Sequence, residues 1–282
     1  MYATTYVKAA DTKDAASKLA AADDGKLLAG GQTLLPTLKQ RLANPDQLID
    51  LADCGLSGIS EAGGVLKIGA MTRHADVASS AVVGKANKGL AKLAGGIGDR
   101  QVRNCGTIGG SVANNDPAAC YPSAVLALGG TIHTNSRDIA ADDFFVGMFE
   151  TALDDDEIIT AISLPNPQTS AYVKFPNPAS RYAMVGVFVA KFANGVRVAV
   201  TGAGDDGVFR ASAIEDALNG NFAVAALDGI SVSEDGLMGD IHASPAYRAH
   251  LIVEMARRAV APASQPKNTS MMPRKPVRRL SF

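Results

Sequence analysis

Ten residues near the N-terminus decide the fold: Leu27-Leu28-Ala29-Gly30-Gly31-Gln32-Thr33-Leu34-Leu35-Pro36. The first three are apolar and predict a short buried strand, and a helix is predicted to begin after the glycines. Two adjacent glycines at this junction have two explanations. Either the chain makes a tight turn that needs a positive φ, or another group approaches the backbone too closely for a side chain. Taken alone, the stretch leaves both explanations open.

The residues on either side of this stretch complete a small α/β unit. Asp11 is placed to cap a helix that ends before Gly25, and residues 48–51 form a further apolar segment typical of a buried strand. A strand-helix-strand order with short connections is typical of α/β proteins. We therefore predict an α/β domain over residues 1–54.

From Gly55 the pattern changes to short alternating segments, of which residues 65–69 are the clearest strand. Helical segments follow around 75–80 and 89–95, and a strand is predicted at 131–134. Asp116 and Pro117 predict a helix start, with Asp116 as the cap and Pro117 as the first helical residue, although Pro122 must kink or restart the helix. These elements predict an α+β domain over residues 55–170.

Four prolines between 165 and 178 mark the next boundary. Beyond them two β-rich runs flank Asn194-Gly195, a pair that favours a tight β-hairpin. Helices are predicted at 216–218 and 246–259, which gives a third domain over residues 171–261. Residues 262–282 contain five Lys or Arg, no Asp or Glu and four prolines. This composition predicts a flexible basic tail.

Composition excludes several classes of protein. The chain has 282 residues, 47% of them hydrophobic and 20% charged, and a net charge of −1. It lacks a long apolar run, and its N-terminus has no basic region followed by an apolar core, so we expect a cytoplasmic protein. We also expect no nucleic-acid partner. The three cysteines and four histidines show no ligand spacing, and we expect no metal site on this chain.

Two glycine motifs resemble known sites and are rejected. Residues 202–207 match the dinucleotide pattern G-x-G-x-x-G, but Asp205 and Asp206 inside the loop would repel a pyrophosphate. Residues 109–113 resemble a degenerate nucleophile elbow of a serine hydrolase, but no continuous buried strand leads into them. Neither motif predicts the function.

Two glycine pairs remain, Gly30-Gly31 and Gly109-Gly110, and each is followed by residues that form hydrogen bonds. Backbone N–H groups without side-chain obstruction can form a concavity that binds an anion such as a diphosphate. The two pairs lie in adjacent predicted domains. Together they predict a cleft that holds a dinucleotide by backbone donors.

With these motifs the chain resembles the FAD-binding medium subunits of molybdenum hydroxylases (the xanthine dehydrogenase family), most closely those of aerobic carbon monoxide dehydrogenases. The resemblance extends from Met1 to about Pro262. The segments that carry it are Ala29-Gly30-Gly31-Gln32-Thr33, Thr107-Ile108-Gly109-Gly110-Ser111, Asn115-Asp116-Pro117, Asp142-Asp143-Phe144-Phe145 and Lys174-Phe175-Pro176-Asn177-Pro178-Ala179-Ser180-Arg181-Tyr182.

The resemblance implies an α+β fold with an α/β N-terminal domain. Two domains form an FAD-binding clasp of the PCMH/vanillyl-alcohol-oxidase type, and a C-terminal domain adds a three-stranded antiparallel sheet with helices. It also implies non-covalent FAD, with two segments around the pyrophosphate and further residues near the flavin. The implied cofactor-binding residues are Ala29, Gly30, Gly31, Gln32, Thr33, Thr107, Ile108, Gly109, Gly110, Ser111, Asp116, Ile158, Lys174 and Tyr182.

The resemblance further implies a redox relay with no catalytic residue for substrate oxidation on this chain. Electrons would come from [2Fe-2S] clusters on a small partner subunit and pass through FAD to an external acceptor such as a quinone. A large partner would hold the molybdenum cofactor, in a dimer of heterotrimers with possible peripheral membrane association. The alternatives are a medium subunit acting on xanthine, aromatic or aldehyde substrates, and a free-standing flavoprotein oxidoreductase. Gln32, Thr33, Ser111 and Cys120 depart from residues common in the family. Cys120 replaces an acidic residue, and we expect it to be a small buried side chain beside Tyr121.

Overall fold

The computed structural model describes residues 1–261, in which three larger β-sheets follow one another along the chain and residues 145–151 contribute a fourth, two-stranded sheet. The predicted basic tail, residues 262–282, lies outside the described residues. Within residues 1–261, no helix combines the length and the apolar character needed to cross a membrane.

The first unit has the predicted strand-helix-strand order. Its three strands are parallel and lie in the order β1-β3-β2. Asp11 caps the first helix by accepting a hydrogen bond from the N–H of Asp14 at 2.8 Å, as predicted. The elements are β1 (Thr5–Lys8), α1 (Thr12–Ala21), β2 (Gly25–Leu28), α2 (Leu34–Lys39) and β3 (Gln47–Asp50).

The second unit is built around a five-stranded antiparallel sheet in the order β4-β5-β10-β6-β7. In β5 the side chains of Leu66 and Ile68 are fully buried while Lys67 is exposed, which explains the alternating sequence. The elements are β4 (Ile59–Ala62), β5 (Val65–Gly69), α3 (His74–Ser79), α4 (Ala81–Ala86), α5 (Lys88–Gly95), α6 (Arg100–Cys105), α7 (Ile108–Asn114), α8 (Tyr121–Ala127), β6 (Thr131–Thr134), β7 (Asp138–Ala140), α9 (Ala141–Phe144), β8 (Phe145–Gly147), β9 (Glu150–Thr151) and β10 (Ile159–Pro165).

The predicted helix start at Asp116 and Pro117 is wrong. Helix α8 begins at Tyr121, with Pro122 in its first turn, where a missing N–H costs no hydrogen bond. The Asp116 carboxylate instead accepts a hydrogen bond from the N–H of Ala118 at 2.8 Å and closes a local turn. An Asp side chain satisfies such a turn as well as a helix cap, so the sequence alone does not separate the two.

The third unit contains a four-stranded antiparallel sheet in the order β11-β12-β13-β14, one strand more than predicted. Asn194-Gly195 forms the predicted hairpin, with Phe192 paired to Gly195. The extra strand follows a turn at Asp205-Asp206. The G-x-G-x-x-G motif therefore forms a β-hairpin, which agrees with its rejection as a dinucleotide site. The elements are β11 (Thr169–Pro176), β12 (Ala183–Phe192), β13 (Gly195–Gly204), β14 (Gly207–Arg210), α10 (Ser212–Gly220) and α11 (Pro245–Val260).

Strand β12 joins the second and third units. Its valines, including Val187 and Val189, pack into the core beneath α11, whereas Phe188 and Ala190 on the opposite face join the core of the second unit. A strand buried on both faces explains the nearly continuous apolar sequence of β12. The predicted domain boundary at 170/171 falls inside β11, and the predicted boundaries otherwise stay predictions.

The turn around Asp116 is tied to the third sheet. The hydroxyl of Thr201 lies within hydrogen-bonding distance of the carbonyl oxygens of Pro117 (2.8 Å) and Ala119 (2.6 Å), and the N–H of Gly202 donates to the carbonyl of Pro117 at 2.7 Å. The Thr201 side chain is fully buried. The third sheet therefore fixes a segment of the second unit that lines the cavity between the units.

Candidate functional site

A cavity of about 680 Å³ lies where the three units meet. Its volume is within the range of about 300–1,000 Å³ that is usual for small-molecule sites. All of the predicted cofactor-binding residues except Ile108 line it. They are Ala29, Gly30, Gly31, Gln32, Thr33, Thr107, Gly109, Gly110, Ser111, Asp116, Ile158, Lys174 and Tyr182.

Ile108 does not line this cavity. Its side chain is fully buried in the core of the second unit, and its N–H donates to the carbonyl of Thr72 at 3.1 Å. The residue anchors the start of α7 on the sheet. Motif position alone does not reveal that its side chain points into the core.

The first glycine loop presents free backbone donors. Within residues 1–261, the N–H groups of Gly30, Gly31, Gln32 and Thr33 donate to no protein acceptor. Gly31 adopts a left-handed conformation with φ of 67°, and the side chain of Gln32 donates to the carbonyl of Gly30 at 3.0 Å. Successive N–H groups beside a left-handed residue form a concavity that binds anions. This loop has the donors that the sequence predicted.

The second glycine pair does not present free amides, and that part of the prediction is wrong. The N–H of Gly109 donates to the carbonyl of Ala70 (2.8 Å), and that of Gly110 donates to the Thr107 hydroxyl oxygen (3.2 Å). The N–H of Ser111 donates to the carbonyl of Thr107 at 3.1 Å. The Thr107 hydroxyl already accepts from Gly110 as a helix cap, and Ser111 also lines the cavity.

Close backbone contacts explain the individual glycines. A Cβ atom at Gly30 would lie 2.3 Å from the carbonyl oxygen of Cys105, and one at Gly109 would lie 2.6 Å from the Cβ of Ala70. At Gly110 the nearest atom would be the hydroxyl oxygen of Thr107 at 3.0 Å. Gly30 and Gly109 are therefore required by the packing of the protein itself. Gly110 faces the cavity, where a side chain would occupy ligand space.

Apolar and aromatic groups line another part of the cavity wall. Ile158 is buried and is held by a hydrogen bond from its N–H to the Asn135 side chain at 2.7 Å. Tyr182 is 48% exposed. Burial raises the pKa of Asp116, although the N–H of Ala118 opposes that shift. The cavity thus combines hydrogen-bond donors for an anionic group with a flat apolar surface for a ring system.

Cys120 is buried, as its small side chain beside Tyr121 predicted. The Lys174 ammonium lies 3.6 Å from the Cys120 sulfur, within hydrogen-bonding distance. Cys120, which stands where the resemblance implies a carboxylate, therefore contacts a lysine. Its sulfur is a weaker acceptor than a carboxylate oxygen.

His74 and Glu157 also line the cavity and were not predicted from the sequence. His74 has no ligand spacing, and Glu157 lies in an acidic run that is typical of a solvated loop. Glu157 is buried, and hydrogen bonds from Arg137, with others from the Asp154 N–H and nearby hydroxyls, lower its pKa to about 2. The pairing of Glu157 with Arg137, which lies twenty residues earlier in the chain, could not be predicted from sequence spacing.

The stability of the protein is expected to fall between about pH 6.5 and pH 4 because of His74. Burial, with a smaller effect of Arg103, lowers the pKa of His74 from 6.5 to about 4. In this interval His74 binds a proton in the unfolded chain but stays neutral in the folded chain. This difference lowers the free energy of unfolding by up to about 3 kcal/mol. Urea unfolding across this range should show the loss in the wild type and a flatter profile in His74→Phe. Equal pH profiles for the two proteins would contradict the assignment, and the Glu157 effect belongs to a lower window, below about pH 4.5.

Comparisons with known proteins agree with this geometry. Residues 2–167 match the family described as "FAD binding domain in molybdopterin dehydrogenase". The nicotine 6-hydroxylase medium subunit of Paenarthrobacter nicotinovorans is 36% identical, over 93% of this chain and 97% of the relative. The carbon monoxide dehydrogenase medium chain of Afipia carboxidovorans is 32% identical, over 84% and 88%. The structure of carbon monoxide dehydrogenase from Hydrogenophaga pseudoflava superposes with a TM-score of 0.82 and 32% identity, over 91% of this chain and 96% of that one.

Proposed function

Because this chain belongs to the family of FAD-binding domains in molybdopterin dehydrogenases, we propose that it relays electrons through FAD within a carbon-monoxide-oxidising complex. It is a medium, FAD-binding subunit of the molybdenum hydroxylases. Its fold is the FAD-binding type predicted from the sequence. The electron route, the substrate and the acceptor are the proposed steps.

The free amides of the first glycine loop are the observation that carries the assignment of the site. They fit the diphosphate of FAD, because that group needs several donors and the loop supplies them without a cationic cluster. Thr107 and Ser111 line the same cavity, and a Cβ atom at Gly110 would lie only 3.5 Å from the Cβ of Ala29, so the two glycine segments are close together there. Bound FAD supplies storage of two electrons and their release one at a time.

The residues near Tyr182 would hold the ring system of FAD. Ile158 offers a buried apolar contact, and Tyr182 offers an aromatic face that shields the ring from water. Lys174 would lie close to both. Binding is proposed to be non-covalent.

The partners in this proposal are a small subunit with [2Fe-2S] clusters and a large subunit with the molybdenum cofactor, arranged as a dimer of heterotrimers. The names of several relatives, which are medium subunits or chains, support a multi-subunit complex. A [2Fe-2S] cluster usually needs four protein ligands. This chain has three scattered cysteines, which fits the assignment of the clusters to another subunit. We place the complex in the cytoplasm, at the inner membrane face if a quinone is the acceptor.

Two substrates are favoured by specific observations. Similarity to solved carbon monoxide dehydrogenases over nearly the whole chain favours carbon monoxide. The full-length match to a nicotine 6-hydroxylase subunit favours a nitrogen heterocycle as the second candidate. Substrate chemistry would lie on another chain in both cases, so this chain constrains the choice only through its relatives.

Purification through a tag on this chain tests the proposal. We expect large and small subunits to co-purify, and we expect anaerobic carbon monoxide to bleach the flavin absorption of the complex. Bleaching by nicotine and not by carbon monoxide would favour the second candidate. A yellow protein that purifies without either partner would contradict the subunit assignment and favour a free-standing flavoprotein.

A further inference from the structure

The ammonium group of Lys174 connects three segments of the cavity wall. Lys174 lies in β11 and donates to the carbonyl of Gly96 at the end of α5 (2.8 Å) and to the carbonyl of Arg181 (3.0 Å). Its third contact is the Cys120 sulfur at the start of α8. Within residues 1–261 it pairs with no carboxylate. The hydrogen bonds of the ammonium group therefore hold the segments at Gly96, Cys120 and Arg181 together.

The segment that Lys174 holds is a tight loop with a strained residue. Arg181 adopts a φ of 65°, which is unfavourable for a residue with a side chain. Asn177 closes the loop, since its N–H donates to the carbonyl of Tyr182 at 2.8 Å and its side chain accepts from Ala179 and Ser180. Lys174 binds the carbonyl of the strained residue itself, so it adds a hydrogen bond from a charged donor to the contacts that Asn177 makes.

Tyr182 depends on this loop for its position. Its hydroxyl forms no hydrogen bond within the described part of the chain, and about half of its surface is exposed. The ring nevertheless lines the cavity. The backbone therefore fixes the position of Tyr182. The Arg181 carbonyl that Lys174 binds belongs to the peptide bond immediately before Tyr182.

We propose that Lys174 is a positioning residue that holds the Tyr182 ring over the cavity through the Arg181 carbonyl. Resting on the proposed function, this contact keeps Tyr182 against the bound FAD. Removal of a hydrogen bond from a charged donor should shift the ratio of closed to open loop by roughly tenfold. A direct effect of the lysine charge on the cofactor is the competing explanation.

Hydrogen–deuterium exchange of the full chain tests the loop without reference to FAD. The amides of Arg181 and Tyr182 donate to Asn177 and to the Ser180 hydroxyl, so they report on loop closure. We expect Lys174→Met to accelerate their exchange by roughly tenfold, because exchange follows local opening. Lys174→Arg should exchange nearly as the wild type does, and so should Lys85→Met, which changes an exposed lysine on α4. Unchanged exchange in Lys174→Met would overturn the proposal.

A double-mutant comparison with bound FAD separates positioning from direct action. A tyrosine ring against a flavin quenches its fluorescence, so Lys174→Met and Tyr182→Ala should each raise the yield of bound FAD several-fold. Lys174→Met should then add nothing in the Tyr182→Ala background. The same increase in both backgrounds would show direct action and overturn the inference. A wild-type protein that retains no FAD would instead contradict the proposed function, while the exchange result would still stand or fall on its own.

Discussion

Gly110→Val is expected to abolish retention of FAD while leaving the protein folded. The new side chain would project into the cavity beside Thr107 and Ala29, whose nearest atoms lie 3.0 and 3.5 Å from the Cβ position. These distances require only a small shift of the Thr107 hydroxyl, so the cost to the fold is expected to be about 1 kcal/mol. The valine side chain would fill the space that we assign to the diphosphate. Flavin absorption after incubation with FAD and desalting measures the loss.

A matched control is available in another helical glycine. Gly84 lies in α4 and has no atom near the position of a Cβ, and it does not line the cavity. Gly84→Val introduces the same side chain into a helix, and we expect it to keep its FAD. If Gly110→Val and Gly84→Val retained equal amounts of FAD, the diphosphate could not lie at Gly110.

Gly30→Ala is expected to destabilise the whole protein, with loss of FAD as a consequence. Its Cβ would lie 2.3 Å from the carbonyl oxygen of Cys105 and 2.6 Å from the Cα of Gly106. Both are backbone atoms of the second unit, so the first two units must separate to make room. We expect a loss of about 3 kcal/mol in the free energy of unfolding, measured by urea denaturation.

The control for this variant is Gly220→Ala at the end of α10, where no atom lies near the new methyl group. That change should leave the free energy of unfolding within about 0.5 kcal/mol of wild type. An unfolding midpoint of Gly30→Ala equal to that of wild type would contradict the close contact between the units. Gly30 and Gly110 thus have separate expected effects, one on folding and one on the ligand.

The opening stretch shows how far sequence reasoning reaches. Strand β2, the turn and helix α2 were all predictable from apolar spacing and the glycine pair. The reason for Gly30 was not predictable, because the carbonyl that excludes a side chain belongs to Cys105, far along the chain. Both of the initial explanations apply here, since Gly31 takes a positive φ and Gly30 meets a close neighbour, but that neighbour is the protein's own backbone.

Tertiary contacts account for the other differences. The second glycine pair has the composition of a donor loop, yet its amides are used by Ala70 and Thr107. His74 and Glu157 join the cavity wall only because distant elements bury them. Strand β14 is four residues long and follows two aspartates, a sequence that does not favour a strand. Local patterns therefore predicted elements well and side-chain partners poorly.

The flavin content of the isolated full-length chain tests the central claim most directly. After incubation with FAD and removal of free cofactor, we predict a yellow protein that carries one FAD per chain and releases it intact on denaturation. Gly110→Val prepared in the same way should be folded and colourless. A wild-type chain that remains colourless under these conditions would contradict the assignment of the cavity to FAD, and flavin that stays attached to denatured protein would contradict non-covalent binding.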